Sequence, residues 1–191
     1  MKEIQNLIQK SLDVKQKLIE DAHLIKVVRK VCDEMTKVFQ NQKKVLFCGN
    51  GGSAADAQHL AAELSGRFYL DRAPLPAEAL HVNTSFLTAV ANDYSYAEVF
   101  ARMVCAQGKK GDMLVAFSTS GNSENIIKAI LAAQKAEMIV VGFTGHSGGK
   151  MKELCHYLLN VPSSDTPRIQ ECHILLGHII CEIVEKNLFH R

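Results

Sequence analysis

The sequence has 191 residues, of which 47% are hydrophobic, and its 22 basic and 20 acidic side chains leave a net charge of only +2. This length fits one domain with a sizeable core rather than two domains. The interspersed charges exclude the strong field of a surface that binds nucleic acid or membrane, so we expect a small-molecule partner.

The N-terminus alternates charged and apolar residues without a continuous apolar run. The sequence therefore predicts neither a signal peptide nor a transmembrane helix, and it favours the cytoplasm. Six cysteines lie mostly in apolar stretches and lack the C-x-x-C spacing of zinc or redox motifs. We interpret them as reduced core residues: Cys32, Cys48, Cys105, Cys155, Cys172 and Cys181.

The first 42 residues predict a long helical arm, because apolar residues recur there at helical spacing. The segment is too long for one average helix, so we expect a break near Asp21-Ala22-His23. An amphipathic arm must bury its apolar stripe, and the surface of a partner subunit is the expected place. We therefore divide the chain into an arm, 1–42, that contacts other subunits and an α/β domain, 43–191.

Five short apolar runs lead through Gly, Ser or Asn into helical patterns, and they predict the strands Val45–Cys48, Ala77–Val82, Met113–Phe117, Met138–Phe143 and Tyr157–Val161. Strands that alternate with helices predict one parallel sheet with helices on both faces, a three-layer α/β domain. In such a sheet, ligands bind beyond the carboxyl ends of the strands, where loops lead into helices.

The run Ser118-Thr119-Ser120-Gly121-Asn122-Ser123 follows the third predicted strand and precedes a helical stretch through Ala133. Hydroxyls and free backbone N–H groups at a helix N-terminus attract an anion, so this hydroxyl loop predicts a phosphate site. An ordinary helix cap is the alternative, because Ser and Thr are common at that position. Four hydroxyls beside a glycine favour the phosphate site.

A glycine loop, Gly49–Ser53, follows the first predicted strand and opens a helix, so its backbone can approach a ligand closely. Its G-x-G-x-x-A spacing weakly suggests a dinucleotide site. However, the second strand ends in Leu80-His81-Val82-Asn83, without the carboxylate that binds a ribose, so NAD is disfavoured. The G-x-x-x-x-G-K-[ST] pattern of nucleoside triphosphate sites is absent from both loops. A tight turn is the alternative for the glycine loop.

Two helices carry candidate metal-binding and acid/base residues. His59 and Glu63 are four residues apart and project from one helix face, although exposed pairs of this kind are also common surface features. In the final helical stretch, Arg168–Asn187, which is apolar almost all round, Gln170 and His178 align along one face. A core histidine with a satisfied hydrogen bond is the alternative for His178.

Together, two imidazoles, a carboxylate and an amide form a donor set that suits zinc: His59, Glu63, Gln170 and His178. A shift of a carbonyl between adjacent carbons passes through an enediol. It needs a group that moves a proton and an electrophile that stabilises the developing oxyanion. Glu63 and His178 are the candidates for the proton transfer, and the metal is the candidate electrophile.

At Cys48–Ser53, Asn92-Asp93, Ser118–Ser123 and Arg168–His173 the chain resembles the phosphoheptose isomerases of the sugar isomerase (SIS) fold. The motifs stand in the order expected for that family, and the resemblance covers essentially the whole chain. It implies a single SIS domain that converts sedoheptulose 7-phosphate to D-glycero-D-manno-heptose 7-phosphate. That reaction begins the synthesis of activated heptose for bacterial lipopolysaccharide or capsule. A homotetramer with one zinc ion per subunit is also implied.

Residue by residue, the resemblance implies catalytic roles for Glu63 and His178, and metal binding by His59, Glu63, Gln170 and His178. The substrate contacts that it implies are Asn50, Gly51, Gly52, Asn92, Asp93, Ser118, Thr119, Ser120, Ser123 and Gln170. One position departs from the family. Pro167 stands just before Arg168, where some members carry an acidic residue, which leaves Asp165 or no residue for that role.

Two other functions remain as alternatives. Non-catalytic paralogues of the fold bind the bacterial replication initiator, and the resemblance implies that they lack the carboxylate and imidazole that stand here as Glu63 and His178. A regulator that senses phosphosugars would need no acid/base pair and would usually carry a DNA-binding module, of which the sequence gives no sign.

Overall fold

The computed structural model describes residues 1–189. Seven α-helices and five strands follow one another in this order: α1 (Lys2–Glu20), α2 (Ala22–Gln40), β1 (Val45–Cys48), α3 (Gly52–Ser65), β2 (Ala77–Ala79), α4 (Thr84–Asp93), α5 (Val99–Gln107), β3 (Met113–Phe117), α6 (Glu124–Lys135), β4 (Ile139–Thr144), β5 (Tyr157–Asn160) and α7 (Thr166–Phe189). Short 3₁₀ helices span Tyr96–Glu98 and Gly149–Glu153.

The five strands form one parallel sheet in the order β2-β1-β3-β4-β5, which confirms the predicted α/β architecture. From β1 the chain moves outward to β2 and then returns to the other side of β1 as β3. The order therefore reverses between β1 and β3, and a crevice for ligands is expected at their carboxyl ends. The glycine loop follows β1 and the hydroxyl loop follows β3, so the two loops lie side by side.

Alternate residues of each strand face opposite layers of helices, as the period of a strand requires. Val45 and Phe47 of β1 join a core with α1, α2, α3 and α7. Leu46 and Cys48 join the second core with α4, α5 and α6. Every residue of β1 and β3 is buried, which explains why continuous apolar runs located both strands without error.

The predicted break in the helical arm is confirmed at Asp21, whose carboxylate caps α2 by accepting hydrogen bonds from the N–H groups of His23 at 3.0 Å and Leu24 at 2.9 Å. Eight residues of α2 are buried, and all of them except Thr36 belong to the first core, against α7 and β5 of the same chain. Most of the apolar stripe of the arm is therefore covered within its own chain. Most of the exposed apolar side chains of the arm lie in the first half of α1, and two more lie beside the break: Ile4, Leu7, Ile8, Leu12, Ile19 and Ile25. The boundary between arm and domain stays a prediction.

Several details differ from the sequence prediction. Strand β2 ends at Ala79 rather than Val82, because the chain turns there towards the start of α4. Helix α7 is not buried all round, since Ile174, Leu175, Ile179 and Ile183 are only partly buried. All six cysteines are free; Cys155 is half-buried against the second core, whereas Cys105 is exposed, so the prediction of a core residue is wrong for Cys105. Within residues 1–189, no helix combines the length and hydropathy required to span a bilayer.

Candidate functional site

His59 and Glu63 on α3 and His178 on α7 form a cluster, hereafter the His–Glu–His trio. The Nε2 atom of His59 lies 3.0 Å from Oε1 of Glu63 and 3.1 Å from Nε2 of His178. One ligand atom from each residue lies within 4.8 Å of those of the other two. His59 is exposed, whereas Glu63 and His178 are half-buried, so the trio faces outward and a substrate can reach it.

The geometry of the trio suits a cation. A single nitrogen, Nε2 of His59, faces both the Glu63 carboxylate and the Nε2 atom of His178, and one N–H can donate to only one of them. A divalent cation would satisfy all three groups as ligands. Two imidazoles and one carboxylate are a donor set that Zn²⁺ prefers, and three protein ligands leave a coordination position for a substrate oxygen.

Close contact between α3 and α7 brings the two halves of the trio together. Gly177, immediately before His178, is buried and lies against Leu60, immediately after His59. A Cβ atom at position 177 would lie 2.7 Å from Cδ2 of Leu60 and 3.1 Å from its Cγ, which is inside van der Waals contact. Only glycine therefore allows α7 to approach α3 this closely.

Asp56 is a candidate that the sequence analysis missed. It lies on α3, one turn before His59, and its Oδ2 atom is buried without a hydrogen-bond partner among the described residues. Burial raises the pKa of this carboxyl to about 6, against a smaller lowering by His59. Asp56 can therefore hold or release a proton close to neutral pH. Asp56 and His59 are three residues apart on α3, and this helical spacing was the signal in the sequence that places both on one face.

The hydroxyl loop gathers three side chains before α6. Oγ of Ser118 lies 2.9 Å from Oγ of Ser123 and 3.4 Å from Oγ of Ser120. Ser123 immediately precedes the helix, and among the described residues its hydroxyl makes no capping bond to the backbone. The first N–H groups of a helix have no partners within the helix. Serine hydroxyls and backbone N–H groups are therefore both available as donors at the N-terminus of α6. The arrangement supports the phosphate-site prediction over an ordinary cap.

Two side chains that the sequence analysis missed, Asn125 and Tyr96, bind Asn50 of the glycine loop. Asn50 and Asn125 exchange amide hydrogen bonds of 2.9 and 2.8 Å, and the hydroxyl of Tyr96 donates to Oδ1 of Asn50 at 3.1 Å. Asn125 is buried in the first turn of α6. The amide of Asn50, predicted as a substrate contact, thus also fixes the spacing of the two loops. No periodic pattern links positions 75 residues apart, so the sequence carried no signal for this pair.

Gln170 contacts the glycine loop. Its Nε2 atom lies 3.5 Å from Oγ of Ser53, and a Cβ atom at Gly52 would lie only 2.9 Å from the Gln170 amide. A larger residue at position 52 would therefore displace the Gln170 amide from the glycine loop. Among the described residues, the hydrogen bond of the Gln170 side chain is the one to Ser53.

The other predicted site residues have different surroundings. Asn92 and Asp93 pair with each other at 2.9 Å at the exposed end of α4. Thr119 and Ser120 line a cleft whose opposite wall is the start of α7. Asp165 is exposed immediately before α7, and Pro167 in the first turn supplies no carboxylate.

Residues 8–145 match the SIS domain family. A phosphoheptose isomerase from Aneurinibacillus thermoaerophilus is 50% identical over 186 residues, which are 97% of this chain and 94% of the relative. The solved structure of a phosphoheptose isomerase from Neisseria gonorrhoeae is similar with a TM-score of 0.91 at 42% identity, over 97% of this chain and 98% of that one. Another from Francisella tularensis has a TM-score of 0.92 at 36% identity, over 97% of both chains.

Proposed function

Because the chain belongs to the phosphoheptose isomerase family of SIS domain proteins, we propose that it converts sedoheptulose 7-phosphate to D-glycero-D-manno-heptose 7-phosphate. The observation that carries this proposal is the convergence of His59, Glu63 and His178 from two helices. Helix α3 begins at the glycine loop, so the same helix connects the trio to the crevice between β1 and β3. The product would enter the synthesis of activated heptose for lipopolysaccharide or capsule.

The hydroxyl loop is the proposed site of the substrate phosphate. Ser118, Ser120 and Ser123 offer three hydroxyl donors at the N-terminus of α6, where free backbone N–H groups and the helix dipole also favour an anion. Charge-assisted hydrogen bonds of this kind are stronger than neutral ones, so the phosphate would hold the substrate while the sugar reacts. Thr119 and the glycine loop, including Asn50, Gly51 and Gly52, remain the proposed neighbours of the sugar.

We propose Zn²⁺ as the cofactor, one ion per subunit, held by the His–Glu–His trio. Gln170 remains the proposed fourth ligand on the basis of the family resemblance. When bound, a divalent cation polarises the sugar carbonyl and stabilises the developing negative charge on oxygen.

The proton transfer is assigned to the side chains of the trio. A carboxylate or imidazole removes a proton from C1 of the ketose, which produces an enediol, and a proton returned to C2 completes the aldose. Glu63 and His178 are the candidates for these roles because each lies within hydrogen-bond distance of His59. Asp56, with its pKa raised to about 6 by burial, is a second group that can exchange protons at neutral pH.

Glu63 and His178 also distinguish the enzyme from a binding protein of the same fold. A paralogue that only binds the replication initiator needs neither a carboxylate nor an imidazole at these positions. In this chain both are present, and each contacts His59. We therefore favour catalysis.

We also propose a homotetramer. The apolar side chains at the start of α1 and along the open face of α7 offer surfaces that further subunits could cover. The cytoplasm stays the predicted compartment.

The test is to incubate purified protein with sedoheptulose 7-phosphate in deuterated water and follow the aldose and its C2 deuterium by NMR. We expect Glu63→Gln and His178→Gln to lower turnover by roughly a hundredfold or more, the scale of a positioned acid or base. Both variants should still bind the phosphosugar. Glu78→Gln and His23→Gln, which change the same residue types at exposed positions, are the matched controls. Near-normal turnover of Glu63→Gln would remove the carboxylate from the mechanism.

A further inference from the structure

Glu185 lies on α7, two helical turns after His178, and its side chain is only 2% exposed. Its carboxylate accepts hydrogen bonds from the backbone N–H groups of residues 68–70 at 3.2, 2.9 and 3.1 Å. It also accepts one from the Nε–H group of Arg72 at 2.9 Å. Burial raises the pKa of this carboxyl, but the four hydrogen bonds outweigh burial, so the pKa lies below its ordinary value. The charged carboxylate thus holds the segment that follows α3 against α7.

Arg72, also 2% exposed, connects Glu185 to the end of α3. Its Nη2 group donates to the backbone carbonyl of Glu63 at 2.9 Å, and Nη1 donates to those of Leu64 at 2.8 Å and Gly66 at 3.3 Å. The last carbonyls of a helix lack partners within the helix, and the planar guanidinium reaches several of them at once. The side chain therefore fixes the end of α3 at the residue that also supplies the carboxylate of the trio.

The segment 68–70, which Glu185 holds, also packs against one member of the trio. The ring of Phe68, whose backbone N–H group binds Glu185, lies with its centroid 5.8 Å from that of His178. The Arg72–Glu185 pair thus contacts the end of α3 at Glu63 and the backbone of Phe68, whose ring lies next to the imidazole of His178. Both helices that carry the trio are held by this one ion pair.

We propose that Arg72 and Glu185 are positioning residues that set the distance and angle between α3 and α7 for metal binding by the His–Glu–His trio. This inference rests on the proposed function, because it assumes that the trio holds a divalent cation. Neither residue touches the trio ligand atoms or the proposed substrate contacts through its own side-chain hydrogen bonds. Their effect would pass through the backbone of Glu63 and the body of α7.

The decisive variant is Arg72→Lys. Lysine keeps the positive charge beside Glu185, but its single ammonium group cannot span the carbonyls at the end of α3. We expect the affinity for Zn²⁺, measured by competition with a chromogenic chelator, to fall by roughly tenfold to a hundredfold, as for other residues that orient metal ligands. The visible spectrum of bound Co²⁺ should change as well. Turnover should fall in parallel, whereas KM for the phosphosugar, whose phosphate site lies on β3 and α6, should change by less than about twofold. Glu185→Gln should also lower the affinity for Zn²⁺. If that variant does not fold, the result for Arg72→Lys decides whether the pair positions the trio.

Lys44→Met is the matched control. Lys44 pairs with Asp112, which is also 2% exposed, but at the amino ends of β1 and β3, away from the trio. This variant should lower the melting temperature without changing the affinity for Zn²⁺. An unchanged Zn²⁺ affinity in Arg72→Lys, or an equal loss of Zn²⁺ affinity in Lys44→Met, would overturn this inference but leave the proposed metal site standing. A wild-type protein whose Zn²⁺ binding does not depend on His59 and His178 would overturn the proposed metal site, and the inference with it.

Discussion

Replacing Gly177 by alanine tests whether close packing of α3 and α7 is necessary for the His–Glu–His trio. The new Cβ atom would lie 2.7 Å from Cδ2 of Leu60, where carbon atoms normally stay roughly 3.5–4.0 Å apart. Leu60 is buried at 2% exposure and cannot swing into solvent. The two helices must therefore separate by about 1 Å, or Leu60 must displace its neighbours by that amount.

Gly177→Ala should affect metal affinity more than the free energy of unfolding. Overpacking costs about 1–3 kcal/mol, and alanine in place of glycine returns about 1 kcal/mol of helix propensity, so the free energy of unfolding should fall by at most about 2 kcal/mol. Metal–ligand distances, by contrast, tolerate only about 0.2 Å. We expect Gly177→Ala to bind Zn²⁺ roughly tenfold or more weakly and to lose turnover in proportion.

Urea unfolding, chelator competition and the isomerase assay measure the three quantities on one preparation. The double variant Gly177→Ala/Leu60→Val removes one methylene where one methyl is added, so metal affinity should recover relative to Gly177→Ala. Leu60→Val alone is the control, with a modest loss of stability. If Gly177→Ala binds Zn²⁺ as wild type does, the close approach of the helices is not what forms the site.

Three further outcomes are expected. Ser118→Ala/Ser120→Ala should weaken binding of phosphorylated sugars by roughly tenfold or more in calorimetry, because two donors to the phosphate are lost, while unphosphorylated sugar is unaffected. Leu7→Glu/Ile8→Glu should shift the assembly in light scattering towards smaller species, because both side chains are exposed apolar groups. Burial lowers the pKa of His173 from 6.5 to about 4, so the folded state disfavours its protonation and stability should fall as pH drops from about 6.5 towards 4. In urea unfolding, the loss between pH 7 and pH 5 should be about 2 kcal/mol greater for the wild type than for His173→Gln, because Asp56, whose raised pKa acts in the opposite direction, is present in both proteins.

The sequence predicted the sheet well because its strands are buried on both faces. Val45–Cys48 and Met113–Phe117 appear as uninterrupted apolar runs, and both have the predicted bounds. The edge strand β2 was predicted too long, since the apolar residues after Ala79 belong to a turn. Leu80 is buried but Val82 is exposed, so an apolar run alone does not locate the end of a strand.

The site was predictable only in part. Helical spacing placed His59 and Glu63 on one face, and the same argument aligned Gln170 with His178. Spacing along one helix cannot say which other helix lies opposite, and that choice depends on tertiary contacts such as Gly177 against Leu60. The family resemblance supplied the connection between the two helices.

Polar residues within the apolar helix α7 show what a single sequence can and cannot predict. Gln170 meets Ser53, His173 meets the carbonyl of Thr144, His178 meets His59 and Glu185 meets Arg72. Burial of a polar group is unfavourable without a hydrogen bond, so each interruption of the apolar pattern predicts a partner from another part of the chain. The identity of that partner depends on topology, and only two of these four residues could be given a function from spacing. For the other two, the partner decides the role. A backbone carbonyl makes His173 a neutral core residue, whereas a guanidinium that also binds the end of α3 makes Glu185 part of the support of the site.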